Sequence, residues 1–169
     1  MEALEAILTR RSIRKYTAQP VPDAVVKEIL EAAMSAPSAG NQQPWQFVVI
    51  RDRQTLDAIP TIHPYSGMIR EAPLAILVCG DLKLEKHSGY WQQDCAAATE
   101  NLLLAVHAKG LAGVWLGCYP REDRVAGLRK LLGMPEHAVP MALIPIGYPN
   151  EKKGRENRYK EDRVHHDRW

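Results

Sequence analysis

One segment constrains the fold more than any other. From residue 95 the chain reads Cys95-Ala96-Ala97-Ala98, and from residue 102 Leu102-Leu103-Leu104-Ala105-Val106. At 3.6 residues per turn this predicts a helix over 89–109 that is apolar nearly all the way round. Such a helix must be covered on every side. A single small sheet covers only one side, so either a second subunit covers another or this is the central core helix of a monomer. The pattern alone leaves both open. With 169 residues the chain is one domain of ordinary size. It is long enough to bury roughly 70% of its unfolded surface without a disulfide or metal staple.

The other elements arrange themselves around that helix. Residues 2–9 predict a short helix with Leu4, Ile7 and Leu8 on one face. A second helix, 22–36, carries Val25, Val26, Ile29, Leu30 and Ala33 at helical spacing, with Pro22 suited to its first position and Pro37 stopping it. Two further helices fall near 53–59 and 121–132, and Gly110 and Gly133 are natural stops. Strands are expected at 45–50, 72–79, 112–116 and 141–146, although Pro145 restricts how the last can pair. Residues 151–169 change character: they are mostly charged, yet end in Val164, His165 and Trp169. A tail that closes on a Trp is expected to lie across another surface, that of a partner subunit if there is one.

Several function classes are excluded early. Lys and Arg number 22 against 20 Asp and Glu, and a net charge of +2 is too weak to argue for nucleic acid. No apolar run approaches the ~20 residues that span a bilayer, and the polar start is no signal peptide. Cys79, Cys95 and Cys118 form no CxxC pair, and an odd number cannot all be paired, so a reducing, cytoplasmic setting is expected. There is no GxGxxG, no GxxxxGK[ST] and no GxSxG, and the histidines lack metal-ligand spacing, so no metal is expected. Cys118 has no paired base nearby in sequence, which makes it a poor nucleophile.

Three constellations could carry chemistry. Arg10, Arg11, Ser12 and Arg14 put three guanidiniums and a hydroxyl within five residues, a set that grips phosphate through planar, bidentate donors. A solvated basic patch is the commoner meaning of such a cluster. The loop Pro37-Ser38-Ala39-Gly40-Asn41-Gln42-Gln43-Pro44 is fixed by two prolines. Ala39 and Gly40 let a ligand approach the backbone, while Asn41 and Gln43 offer complementary amide edges to a heterocycle, or else cap local backbone. Trp115, Leu116 and Gly117 end a strand, where ligands of α/β sheets usually sit. There Gly117 would leave a backbone N–H open to a ligand, unless the segment is only a buried strand and its exit turn.

In this order the three constellations resemble the nitroreductase family of FMN-dependent oxidoreductases, over nearly the whole chain from Leu4 to Trp169. Arg10 to Arg14 is moderately specific; the 37–45 loop followed by 94–104 and by 110–117 is far more so. The resemblance implies an α+β fold: a three-layer α-β-α sandwich with a central mixed, mostly antiparallel sheet. It also implies an intertwined homodimer with FMN at the interface. Carried over, Arg10, Arg11, Ser12 and Arg14 hold the phosphate, with Arg158 or alternatively Arg155 from near the carboxyl end. Pro37, Ser38, Ala39, Asn41 and Gln43 belong to the loop that the other subunit lends, and Trp115, Leu116 and Gly117 face the reactive edge of the ring. NADH or NADPH is the implied reductant, and a small-molecule acceptor such as a nitroaromatic or quinone takes the hydride. The flavin carries that hydride, so no catalytic side chain is expected. The alternative is a flavin-binding protein that stores, delivers or breaks down FMN. Some relatives have an acidic residue where this chain has Leu116, and longer ones carry a segment over the flavin. Here the site is either open or covered by 63–70, where Tyr65 and Met68 lie.

Overall fold

A computed structural model describes residues 1–169. Five strands form one sheet: β1 (Trp45–Ile50), β2 (Leu74–Asp81), the short β3 (Ala112–Gly113) and β4 (Leu116–Gly117), and β5 (Ala138–Gly147). Their order is β1-β2-β5, with β3 and β4 on the far edge of β5, and every strand pair is antiparallel. The only parallel pairing is an isolated bridge between Ser12 and Gly113.

Prolines explain where the strands depart from expectation. The strand predicted at 112–116 is split. Gly113 faces Ile146 and Leu116 faces Leu143, a common register that sets Val114 opposite Pro145. Pro145 has no N–H to complete the ladder there. β5 is longer than the predicted 141–146 because Pro140 does not end it. The register against β2 shifts between Val78 and Cys79, and the irregularity accommodates that proline. β2 starts two residues later than predicted, after Pro73, because Ala72 N–H still closes the preceding turn on Ile69 O.

Five helices cover the sheet: α1 (Ala3–Thr9), α2 (Asp23–Met34), α3 (Arg53–Ala58), α4 (Trp91–Ala108) and α5 (Glu122–Leu131). The alternation of side chains along β2 divides the core. Leu74, Ile76 and Val78 pack with α2 and α4, while Ala75, Leu77 and Cys79 pack with Leu56, Ile59, Ile69 and Leu128 on the other face. The result is three layers. Gly110 (φ 73°) and Gly133 (φ 61°) take up the left-handed conformation just past α4 and α5. Pro22 is the N-cap of α2 rather than its first helical residue.

The α4 pattern resolves in an instructive way. Cys95, Ala98, Leu102, Leu103 and Val106 are buried within the single chain, because α2 covers a side that the sheet does not. The all-round apolar pattern therefore needs no second subunit to explain these residues. Apolar surface does remain on α1, where Leu4 and Ile7 are 72% and 54% exposed. Beside them runs a groove of about 490 Å³ bordered by Ala6, Leu104, Ala105 and Ala108. The tail beyond Glu151 is exposed throughout, and Trp169 stacks only on His165.

Candidate functional site

The arginine cluster follows the end of α1 and packs against the last turns of α4. Arg10 Nε lies 3.3 Å from Glu100 Oε1, and Thr9 Oγ1 lies 2.8 Å from His107 Nε2. Arg11 folds back on the backbone. Its Nε donates to Gly154 O at 2.8 Å and its Nη1 to Arg10 O at 2.6 Å, whereas its Nη2 is buried with no partner. A buried guanidinium nitrogen without an acceptor is costly, and an anion bound there would satisfy it. Arg10, Arg11, His107, Lys152 and Lys153 line a cavity of about 250 Å³. Burial and the neighbouring Arg10 hold the His107 imidazole below its usual pKa. Ser12 is held from both sides: its carbonyl accepts from Lys153 Nζ at 2.7 Å and it bridges to Gly113. Arg14 donates its backbone N–H to Glu151 Oε1. Arg155 and Arg158 share a second groove with Arg10 and Arg11, so both tail candidates reach the cluster; Arg158 is paired with Glu156 at 2.9 Å.

The 37–45 loop connects α2 to β1 and rests on the opposite end of α4. Ser38 Oγ accepts from Gln43 N–H, and Gln43 Nε2 donates to Asn41 Oδ1 at 2.9 Å. Pro37, Asn41 and Gln43 are exposed, with Ser38 and Ala39 partly so. Beneath them Asp94 receives Ala39 N–H and the Gln42 amide.

Gly117 occupies the edge strand. Cys118 N–H donates to Met141 O, so the alternation of an antiparallel ladder turns the Gly117 N–H and C=O away from β5. Its carbonyl accepts from Arg124 Nη1 at 2.8 Å and from His63 Nε2 at 3.0 Å. Nothing lies within 4 Å of where a Cβ would stand, so the face of Gly117 on which a side chain would project is open. Leu116 is buried and Trp115 half-buried. Tyr65 stands at the rim, its ring under the Arg124 guanidinium, and Met68 packs into the core. Burial lowers the pKa of His63 and pushes the Cys118 thiol up to about 12, which leaves Cys118 an unreactive core residue.

One chain does not gather all three constellations into one cavity. Arg10 and Thr9 contact α4 at Glu100 and His107, whereas the loop contacts it at Asp94. That separation is about 9–20 Å at the helical rise of about 1.5 Å per residue. The sequence reading missed Asp94, His63, His107 and Arg124. Each is a polar residue whose role comes from contacts with another segment, and only Asp94, an acidic residue in the first turn of α4, left any local signal.

An antiparallel sheet between two helical layers is the fold this chain shares with solved nitroreductases. A structure from Parabacteroides distasonis named "Putative NADH dehydrogenase/NAD(P)H nitroreductase" superimposes with a TM-score of 0.95 at 41% identity, covering 99% of this chain and 98% of that one. The chain belongs to the Nitroreductase family, whose model matches residues 7–62 and 61–148. A protein of the same name from Methanothermobacter thermautotrophicus is 51% identical over 169 residues, covering all of this chain and 88% of its own length. A structure from Desulfovibrio desulfuricans, described as a nitroreductase in complex with FMN, has a TM-score of 0.89 at 35% identity and covers 100% of this chain and 98% of that one. No helix is long and apolar enough to cross a membrane.

Proposed function

We propose that this protein is an FMN-dependent oxidoreductase of the cytoplasm that passes a hydride from NADH or NADPH to nitroaromatic, quinone or related acceptors. The observation that carries the reading is the buried, unpaired Nη2 of Arg11, beside a cavity rimmed with cations. That donor set fits a phosphate monoester. The FMN in the Desulfovibrio relative supports the same assignment. Bound flavin supplies the redox chemistry by accepting and releasing the hydride, so no side chain is given a catalytic role.

The residues of the chain bind and orient. Arg10 and Arg11, which line the cavity, and Arg158 from the adjoining groove hold the phosphate, joined by their chain neighbours Ser12 and Arg14. Pro37, Ser38, Ala39, Asn41 and Gln43 flank the ring from the other subunit of a homodimer, which explains why one chain keeps loop and arginines apart. Leu116 and Gly117, beside Trp115, offer the outward backbone edge of β4 to the ring. The exposed face of α1 and the groove beside Leu104 form the subunit contact, and residues 151–169 pack on the partner. A slot shared by reductant and acceptor makes the kinetics ping-pong, with parallel double-reciprocal lines. The test is anaerobic: the yellow protein bleaches on adding NADH or NADPH and regains colour with a nitroaromatic or quinone. Colour that persists identifies a flavin carrier instead, and a colourless protein that takes up no FMN refutes the reading.

A further inference from the structure

Gln42 and Asp94 lie beneath the 37–45 loop and are only 5% and 4% exposed. The loop above them has an unfavourable backbone. Gly40, Asn41 and Gln43 have φ of 51°, 54° and 47°, and the left-handed region is costly for the last two. A Cβ at Gly40 would meet His87 Nε2 at 2.2 Å, so that exposed imidazole would have to move aside. Something outside the loop must therefore hold its shape.

The hydrogen bonds identify what does. Gln42 Oε1 accepts from two backbone donors, Lys86 N–H at 2.8 Å and His87 N–H at 2.9 Å. That fixes the direction of the amide, so its nitrogen faces position 94. Position 94 must then accept twice: Asp94 Oδ2 takes Gln42 Nε2 at 2.6 Å, and Oδ1 takes Ala39 N–H at 2.9 Å. A carboxylate meets that demand, whereas an amide has only one oxygen. We infer that Asp94 and Gln42 are positioning residues, a pair of matched polarity that sets the shape in which Ser38, Ala39, Asn41 and Gln43 meet the flavin ring. The same pair ties the segment from Leu82 to Tyr90 to that loop, through Lys86 and His87. This rests on the flavin reading above.

The polarity of the pair can be reversed, which makes the inference testable in the whole 169-residue chain. In Gln42→Glu two carboxylates face each other, and in Asp94→Asn two amide nitrogens compete for too few acceptors. With both changes the introduced carboxylate accepts from Lys86, His87 and the introduced amide, whose oxygen takes Ala39 N–H. Apoprotein is titrated with FMN and with riboflavin, following quenching of flavin fluorescence. Each single variant should bind both flavins about tenfold more weakly or worse. The double variant should return to within about threefold of the parent. In the singles the Ala39 amide resonance should shift, and in the double it should return. Single variants that bind like the parent, a double variant as weak as the weaker single or unfolded, or a loss confined to FMN would each overturn the inference. If the parent binds neither flavin, the flavin reading fails first. The pair is then judged by melting temperature, lowered in the singles and restored in the double.

Discussion

Arg11→Ala separates the binding role of this side chain from any structural one, because its structural contributions nearly cancel in the apoprotein. In the free protein the guanidinium makes three bonds to backbone carbonyls, two of them exposed, at Gly154, Leu8 and Arg10. At the low end of the usual range these sum to about 1.5 kcal/mol. Against this, its Nη2 is buried without an acceptor, which costs about 1–3 kcal/mol. Removing the side chain deletes both contributions, so the apoprotein should keep its stability to within about 1 kcal/mol. With FMN present the balance changes. Loss of a desolvated charge contact to phosphate costs about 2–5 kcal/mol. That converts to roughly 30- to 5,000-fold in affinity. Riboflavin, which has no phosphate, should bind the variant and the parent alike. The assay is a thermal melt of the apoprotein with no ligand, with FMN and with riboflavin, beside direct titration. Unchanged FMN affinity in Arg11→Ala, or an equal loss for both flavins, would refute the phosphate assignment.

Three other outcomes are expected. Ile7→Asp places a charge on the exposed apolar face of α1 and should yield a monomer without flavin in analytical ultracentrifugation; a stable flavin-loaded dimer would remove α1 from the interface. Cys118→Ala should keep nearly full turnover, and thiol reagents should label the folded parent slowly, since burial holds that thiol at about 12; lost turnover with FMN still bound would place chemistry on the cysteine. His63 is buried and its pKa lowered by that burial, so the fold holds it neutral while the unfolded chain protonates below about 6.5. Stability from this group is therefore complete above that pH. It falls with acidification by up to about 1.4 kcal/mol per pH unit, until the folded imidazole itself takes a proton. Urea melts between pH 7.5 and 5.5 should show a flatter profile for His63→Gln, and identical profiles would remove His63 as the source.

What local physics governs was legible in the amino acids. Helical spacing in 22–36 and 89–109, the stops at Gly110 and Gly133, and β1 from Trp45 to Ile50 are matters of near neighbours, and they fold as expected. The arginine cluster was legible because its members are adjacent in sequence. Strand ends were less so, since whether Pro140 or Pro145 interrupts a strand depends on which neighbour would have taken its missing N–H. The tertiary structure alone decided which side of α4 each element covers, and so placed Leu103, on a helix whose cover the pattern left open, in the core of its own chain. It also decided that His63 and Arg124 converge on one carbonyl and that Asp94 lies under a loop more than fifty residues away in sequence. A polar residue declares its partner only when burial removes water as the alternative, and burial belongs to the assembled fold rather than to any segment of it.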